Sequence, residues 1–335
     1  MDKKVSIITP CFNGEKFISR YFDSILEQTY KNIEVIFIND GSTDTTEKIV
    51  EQYIPTFNKH GIEFIYIYQE NKGQAAALNN GLKKFSGDYL TWPDSDDILT
   101  KDSIEKKVFF LDNNKQYGLV RSGAKVVLEN NVHDIIGYLG KNNKNKFKED
   151  LFLDYIMEND VWFAPGCFMI RADNFLEVNP MREIYEGRGG QNWQMLLPLM
   201  YKYKCGYIDE ELYIYIIREN SHSHDIEGFE QEYKRCMEHE KILINCIKNI
   251  DMNESEREKY FEIINEKYVR RNFLLSVDYN KKELAEELYK VIKKKYKVSK
   301  YEYLQYLSSR SIVLKVFIDI LRFIKKLLIN WNLLG

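Results

Sequence analysis

Cysteine is scarce: Cys11, Cys167, Cys205, Cys236 and Cys246 are the only five in 335 residues, and no two form a Cys-x-x-Cys pair. That excludes a disulfide framework and a zinc ribbon, and it suits a reducing compartment. No uncharged apolar run reaches the ~20 residues that a membrane-spanning helix needs, so no spanning segment is expected. A basic excess is missing too, with 48 Lys+Arg against 51 Asp+Glu and a net charge of -3. This argues against a nucleic-acid partner. Met1-Asp2-Lys3-Lys4 runs directly into an apolar strand without a secretory h-region, so a cytoplasmic chain is expected.

What is present is enough for a large core. The chain is 44% hydrophobic and 14% aromatic, which excludes whole-chain disorder, and its length suggests about two domains. Short β-branched runs alternate with helical patterns over the first hundred residues: Val5–Thr9, Ile33–Ile38, Phe64–Tyr68 and Tyr89–Trp92 read as strands. Between them, Phe17, Tyr21, Phe22, Ile25 and Leu26 share a helix face. Asp44 with Glu47 resembles a capping box opening a second helix, and 73–85 reads as a third. Continuous apolar strands alternating with helices predict an α/β fold whose mixed, mainly parallel sheet is covered on both faces. Beyond residue 115 the alternation weakens. Strands are expected at 119–128 and 166–171, a helix at 191–203 despite Pro198, and a strand or hairpin at 205–217. From about residue 228 the chain reads as charged helices.

Ligands of such sheets bind beyond the carboxyl ends of the strands, and the polar clusters fall there. Pro10-Cys-Phe-Asn13 follows the first strand, Asn39-Asp40 the second, Asn71-Lys72-Gly73 the third, and Asp94-Ser95-Asp96-Asp97 the fourth. In the last cluster one carboxylate can reach a divalent cation while its neighbour turns to a ligand hydroxyl or a metal-bound water. A chain this rich in Asp yields about one Asp-x-Asp by accident, so the spacing alone is weak. Asp40 could accept from a base N–H, or simply close an Asx turn. Asn71-Lys72-Gly73 opens a helix whose free N–H groups could face a phosphate. The ordered convergence of all four carries the argument.

These residues resemble the GT-A-fold glycosyltransferases of family 2. The resemblance rests on Ser6–Asn13, Glu34–Asp44, Glu70–Asn79 and Gly87–Leu90 leading into Asp94–Asp97. It is strong over residues 3–115, thinner to 225, and absent beyond. It implies a nucleotide-sugar pocket of Thr9, Pro10, Phe12, Asn13, Asp40, Asn71, Gly73, Asp94 and Ser95, with Asp40 reading a uracil edge. It further implies that Asp96 ligates the Mn²⁺ or Mg²⁺ that bridges the diphosphate, with His222 as a further metal candidate. Gln191, Trp193 and Arg218 are the candidates for the acceptor or sugar pocket, although a tryptophan on a helix packs in a core about as often.

One stretch departs from the family pattern. Non-processive members usually carry Glu-Asp before a Trp, the Asp acting as base. Here the stretch is Arg188-Gly-Gly-Gln-Asn-Trp-Gln194, with Asn192 at the expected carboxylate. An amide does not usefully accept a proton at neutral pH. Three readings stay open: a shifted base, with Glu186 the nearest carboxylate upstream; a different alignment of this stretch; or no transfer at all. Leu78 also replaces an Arg found in many relatives.

The tail from Ser311 to Ile329 alternates Lys315, Asp319, Arg322 and Lys326 with an apolar stripe including Ile312, Val316, Phe323 and Leu327. Such a helix suits the interface of an anionic membrane, or packing on protein. The expectation is a GT-A domain over 1–225, with a nucleotide-sugar half at 1–115 and an acceptor half at 116–225. A helical region then covers 226–335 and ends in the amphipathic tail 311–329. The expected function is metal-dependent, inverting transfer of a hexose from a nucleotide sugar, UDP-linked, to a lipid-linked or polysaccharide acceptor at the inner membrane face. A catalytically inert sugar-nucleotide-binding subunit is the alternative.

Overall fold

Four apolar runs pair side by side as parallel strands: β1 (Val5–Cys11), β2 (Ile33–Asp40), β3 (Glu63–Gln69) and β4 (Tyr89–Thr91). All eight residues of β2 are buried, as a central parallel strand covered on both faces requires. In this computed structural model the described residues are 3–187, 189–218, 228–311, 313–316 and 320. β1 pairs with β2 from Val5 opposite Ile33 to Cys11 opposite Asn39, and with β4 from Val5 opposite Tyr89. The intervening helices are α1 (Ile18–Leu26), α2 (Thr46–Lys59) and α3 (Gln74–Leu82). The buried face of α1, with Tyr21, Phe22 and Ile25, is the one its 3.6-residue period predicts.

The α2 start differs from expectation. The helix begins at Thr46 with Thr45 as cap residue and no side-chain cap bond from it. Asp44 sits one place further out and accepts from Thr46 N at 3.0 Å and from Glu15 N at 3.0 Å. Glu15, from the loop before α1, takes the Thr45 amide at 3.1 Å. The end of the helix is therefore capped from a distant loop rather than by Glu47.

The sheet continues through β5 (Ile98–Leu99), β6 (Tyr117–Leu128), β7 (Asn131–Leu139), β8 (Phe168–Arg171) and β9 (Lys204–Ile217). The order is β3-β2-β1-β4-β8-β6-β9-β5, with β7 paired to β6. β8 lies antiparallel between β4 and β6, and β5 lies antiparallel to β9. The sheet is thus mixed, parallel in the first half, while in the second the antiparallel pairings flank a long parallel pairing of β6 with β9. The expected strand or hairpin at 205–217 is the single strand β9. Helices α4 (Ser103–Asn113), α5 (Phe152–Met157), α6 (Ala172–Val178) and α7 (Gln191–Lys202) complete this part, α7 running on through Pro198.

Two compact units divide the chain: 1–224 with 242–252, and 225–241 with 253–335. The second unit is built from α9 (Glu254–Asp278), α10 (Lys282–Lys295), α11 (Lys300–Arg310) and the first part of α8 (Phe229–Asn249). Its core is Phe273, Val277, Ala285, Tyr289 and Ile292, with Tyr306 stacked on Tyr289 at 3.9 Å. Ser299 and Glu302 form a reciprocal capping box that opens α11, a device worth about 1 kcal/mol. No helix among the described residues is long and apolar enough to cross a membrane. Most of the amphipathic tail 311–329 lies outside the described residues.

Candidate active site

The parallel register sets the strand ends level, with Cys11 beside Asn39 and Asn39 beside Tyr68. Each end gives way to a polar loop because the chain turns back toward a helix there. Asp40, the last residue of β2, is 3% exposed. Its Oδ1 accepts from Gln69 Nε2 at 2.7 Å and Lys72 N at 2.9 Å, and its Oδ2 accepts from Gly73 N at 2.9 Å. One carboxylate thus ties the loop between β3 and α3 to the end of β2, and retains acceptor capacity for one more donor. The close approach needs glycine at the next residue. Gly41 has φ +69°, and a Cβ there would lie 2.6 Å from the Asn71 amide nitrogen. Asn71 itself is exposed, and Gly73 caps α3 at φ 89°.

At the end of β1, Phe12 is 40% exposed, an apolar ring available to stack on a base. Asn13 adopts φ 52° and accepts from Thr43 N at 2.9 Å, joining this loop to the one after β2. Thr9 is fully buried and its hydroxyl is hydrogen bonded to that of Tyr21. It supports the pocket from within the core rather than lining it, because its place in the strand points it under α1. Pro10 is half-buried and Ser95 is 8% exposed.

The acidic turn joins β4 to β5. Asp94 Oδ1 accepts from Gln74 Nε2 at 2.8 Å, and Gln74 Oε1 in turn accepts from Gln191 Nε2 at 2.6 Å. This amide relay connects the first residues of α3 and α7 to the acidic turn. Asp96 Oδ2 pairs with Arg218 Nη2 at 2.5 Å, and Arg20 Nη2 donates to the Asp96 carbonyl at 3.0 Å. Asp97, 1% exposed, accepts from Ile216 N at 2.8 Å. Burial, then the charge of Asp96, pushes the Asp94 carboxyl up to about 7, with Gln74 and Arg218 opposing. Burial and the charges of Asp96 and Asp94 hold Asp97 well above the usual carboxylate range. Three carboxyl groups thus crowd one turn, where Arg218 pairs with Asp96.

A divalent cation would add positive charge beside these carboxyl groups. Among the described residues no three His, Cys, Asp or Glu side chains form a complete cage. Mg²⁺ and Mn²⁺ need none, since they commonly bind through one or two carboxylates together with substrate phosphates and water. The hard oxygens of Asp96, with Asp94 beside it, fit that role. His222 lies outside the described residues.

The segment before α7 is held by two carboxamides. Asn79 Nδ2 donates to the Ile184 carbonyl at 2.9 Å, and its Oδ1 accepts from Ile184 N at 2.7 Å. Gln194 does the same for Tyr185, at 2.6 Å from its N–H and 2.9 Å to its carbonyl. Glu186 follows, exposed, with Asn79 Nδ2 at 3.3 Å from its Oε1. Asn79→Ala and Gln194→Ala each strand two peptide groups, so each is expected to lower stability by about 1–3 kcal/mol. Urea denaturation midpoints at constant slope measure this, and unchanged midpoints would contradict it.

Two sequence expectations are corrected here. Trp193 is 5% exposed, donates Nε1 to the Tyr155 carbonyl at 2.9 Å and packs against Phe163. It is a core residue because its helix face is turned inward, and its ring is not a platform for a sugar. Asn192 spends its carboxamide on structure, accepting from Trp92 Nε1 at 2.9 Å and donating to the Phe163 carbonyl at 2.7 Å. Gln191 stays at the site through Gln74, and Arg218 reaches the acidic turn rather than a separate sugar pocket. Sequence reasoning placed Asp97 in the acidic cluster without a role of its own, and missed Gln74, Arg20 and Tyr213, whose hydroxyl lies 3.2 Å from Asp94 N. Gln74 alone had a legible signal, its place at the start of the helix after Gly73.

A parallel half-sheet with an apolar ring and acidic groups at its strand ends, continued by mixed strands beyond an acidic turn, is the GT-A architecture. The chain belongs to glycosyl transferase family 2, which matches residues 6–178. It is 31% identical over 218 residues to the EpsE protein of Bacillus subtilis, named as a glycosyltransferase, covering 65% of this chain and 74% of that one. It is 43% identical over 105 residues to the glycosyltransferase GlyA of Streptococcus pneumoniae, which is 31% of this chain but 14% of GlyA. The chain spans a third or less of the length of that relative and of a similar Rickettsia typhi protein, at 14% and 31%. Among solved structures it resembles Staphylococcus aureus TarS 1-349 in complex with UDP-GlcNAc, with TM-score 0.59, 21% identity, and coverage of 91% of this chain and 79% of that one. It also resembles the mannosyltransferase PcManGT of Pyrobaculum calidifontis in complex with GDP-Man and Mn²⁺, with TM-score 0.57, 14% identity, and coverage of 96% and 88%. At these identities the likeness is one of fold.

Proposed function

We propose that this protein is a metal-dependent, inverting glycosyltransferase that moves a hexose from a nucleotide sugar, UDP-linked, to a lipid-linked or polysaccharide acceptor in cell-surface glycan synthesis. The observation that carries the reading is the meeting of Phe12, Asp40, Asp94 and Asp96 from three strand ends of one sheet edge. Phe12 offers a ring face to the base, and Asp40 has capacity left for a base N–H. Asp94 serves a ribose hydroxyl or the shell of the cation, and Asp96 holds the cation. A bound divalent cation supplies charge stabilisation for the departing diphosphate. In the transfer the acceptor oxygen bonds to the anomeric carbon, and the anomeric C–O bond breaks toward the diphosphate. The hydroxyl proton passes to a carboxylate on the opposite face. Glu186 is our choice for that base, because its loop is fixed by Asn79 and Gln194 while the Asn192 amide is committed elsewhere. The amphipathic pattern of 311–329 supports a peripheral place on the inner face of the membrane, close to a lipid-linked acceptor.

The test is a panel of UDP- and GDP-sugars with Mn²⁺ or Mg²⁺, read as release of nucleoside diphosphate. Turnover of one donor, dependent on the cation, supports the transferase and identifies the sugar. Asn192 at the usual base position favours a second reading, an inert nucleotide-sugar-binding subunit. Cation-dependent binding with no turnover across donors and lipid-linked or polysaccharide acceptors supports that reading instead. No binding of any donor sinks both.

A further inference from the structure

The carboxylate best placed for a cation already has a cationic partner. Arg218 follows the last residue of β9, and its Nη2 lies 2.5 Å from Asp96 Oδ2, the two side chains being 23% and 21% exposed. The guanidinium carbon stands 4.6 Å over the ring of Phe17, which braces it from behind. Arg20 binds the carbonyl of the same aspartate at 3.0 Å, so two guanidiniums converge on one residue of the acidic turn. Arginine keeps its charge at all accessible pH values, so protonation does not release the pair. Two cations on one carboxylate repel strongly at these separations, and a metal ion and the Arg218 guanidinium therefore compete for Asp96.

We propose that Arg218 is a resident counter-ion that holds Asp96 until a divalent cation displaces it, and that this exchange couples cation binding to nucleotide binding. The inference rests on the cation and nucleotide reading given above. An arriving diphosphate offers Arg218 a second anion, and each charge that leaves Asp96 for the nucleotide makes room for the metal ion. Neither ligand alone completes the exchange at low cost. The role is one of positioning: Arg218 acts through Asp96 and sets when that carboxylate is free.

Calorimetric titration of the full chain with Mn²⁺, alone and with saturating UDP, tests this. For the wild type, UDP is expected to tighten Mn²⁺ binding about tenfold or more, the usual range of coupling between sites. Arg218→Met keeps the apolar packing on Phe17 and removes the charge. It is expected to bind Mn²⁺ without UDP about tenfold tighter than wild type, and to show a smaller UDP enhancement, the remainder coming from direct ligation of the cation by the diphosphate. Arg218→Lys retains the charge and is expected to keep the enhancement, which a purely structural role for the side chain does not predict. Mn²⁺ affinity that is unchanged or weaker in folded Arg218→Met, while wild type still shows UDP-enhanced binding, overturns the counter-ion role and leaves the site reading standing. Absence of Mn²⁺ binding in wild type with or without UDP overturns both. Should Arg218→Met fail to fold by circular dichroism, Arg218→Gln is read by the same criteria.

Discussion

Asp96→Ala is expected to reduce cation-dependent donor turnover by about a thousandfold, the equivalent of about 4 kcal/mol of transition-state stabilisation. On the proposed reading, charge builds on the leaving diphosphate as the anomeric bond breaks, and a metal ion held by Asp96 would meet it. The same change should move stability little. Losing Asp96 leaves the partly buried Arg218 guanidinium without its partner, but it also relieves the repulsion that the Asp96 charge exerts on Asp94 and Asp97, and the two effects oppose. Full-length protein with an unchanged thermal midpoint and near-wild-type turnover would remove Asp96 from the chemistry. A collapse of stability would instead make it a structural residue. Measuring both on one preparation separates the two, and varying Mn²⁺ from micromolar to millimolar shows whether excess cation rescues the variant.

Asp40→Ala is the second large effect, and it should appear first in stability. The carboxylate takes hydrogen bonds from Gln69 Nε2, Lys72 N and Gly73 N at a position 3% exposed. Removing it strands two backbone amides and a carboxamide, and bonds to a charged acceptor are the strong kind. The expected loss is about 3–5 kcal/mol, read from urea denaturation. Gln74, two residues from the anchored Lys72, carries the relay to Asp94. Loosening this loop should therefore weaken UDP binding as well, even in protein that remains folded. A loss below about 1 kcal/mol would mean that the loop between β3 and α3 is held by other contacts. Asp40→Asn, which keeps the shape but turns an NH₂ toward one donor, should fall between the two.

Much of the parallel half of the sheet is legible in the sequence. Val5–Cys11 and Ile33–Asp40 are runs buried on both faces, and such strands are written as mostly apolar sequence, in which the few buried polar residues are paired, as Ser6 is with Glu34 and Thr9 with Tyr21. Asp40, Phe12, Asp94 and Asp96 could be picked out since each sits at the point where an apolar run stops, which in a parallel sheet is one edge. Trp193 was ambiguous for the opposite reason. A helix shows one buried stripe whether that stripe meets a core or a ligand cleft, and only its bond to Tyr155 and its packing on Phe163 decide.

Chain order and the pattern of apolar runs therefore suffice for the α/β class, for the strand edge that gathers the candidate ligand groups, and for the acidic turn as a candidate place for a cation. They do not reveal which partner each polar side chain takes. The Arg218–Asp96 pair, the Gln191–Gln74–Asp94 relay and the clamps of Asn79 on Ile184 and Gln194 on Tyr185 join residues from different elements. Burial patterning follows from local periodicity and is written into short stretches of sequence. A hydrogen bond depends on angles and distances of a few tenths of an ångström, and those are set only when β9, α3 and α7 have packed around the same turn.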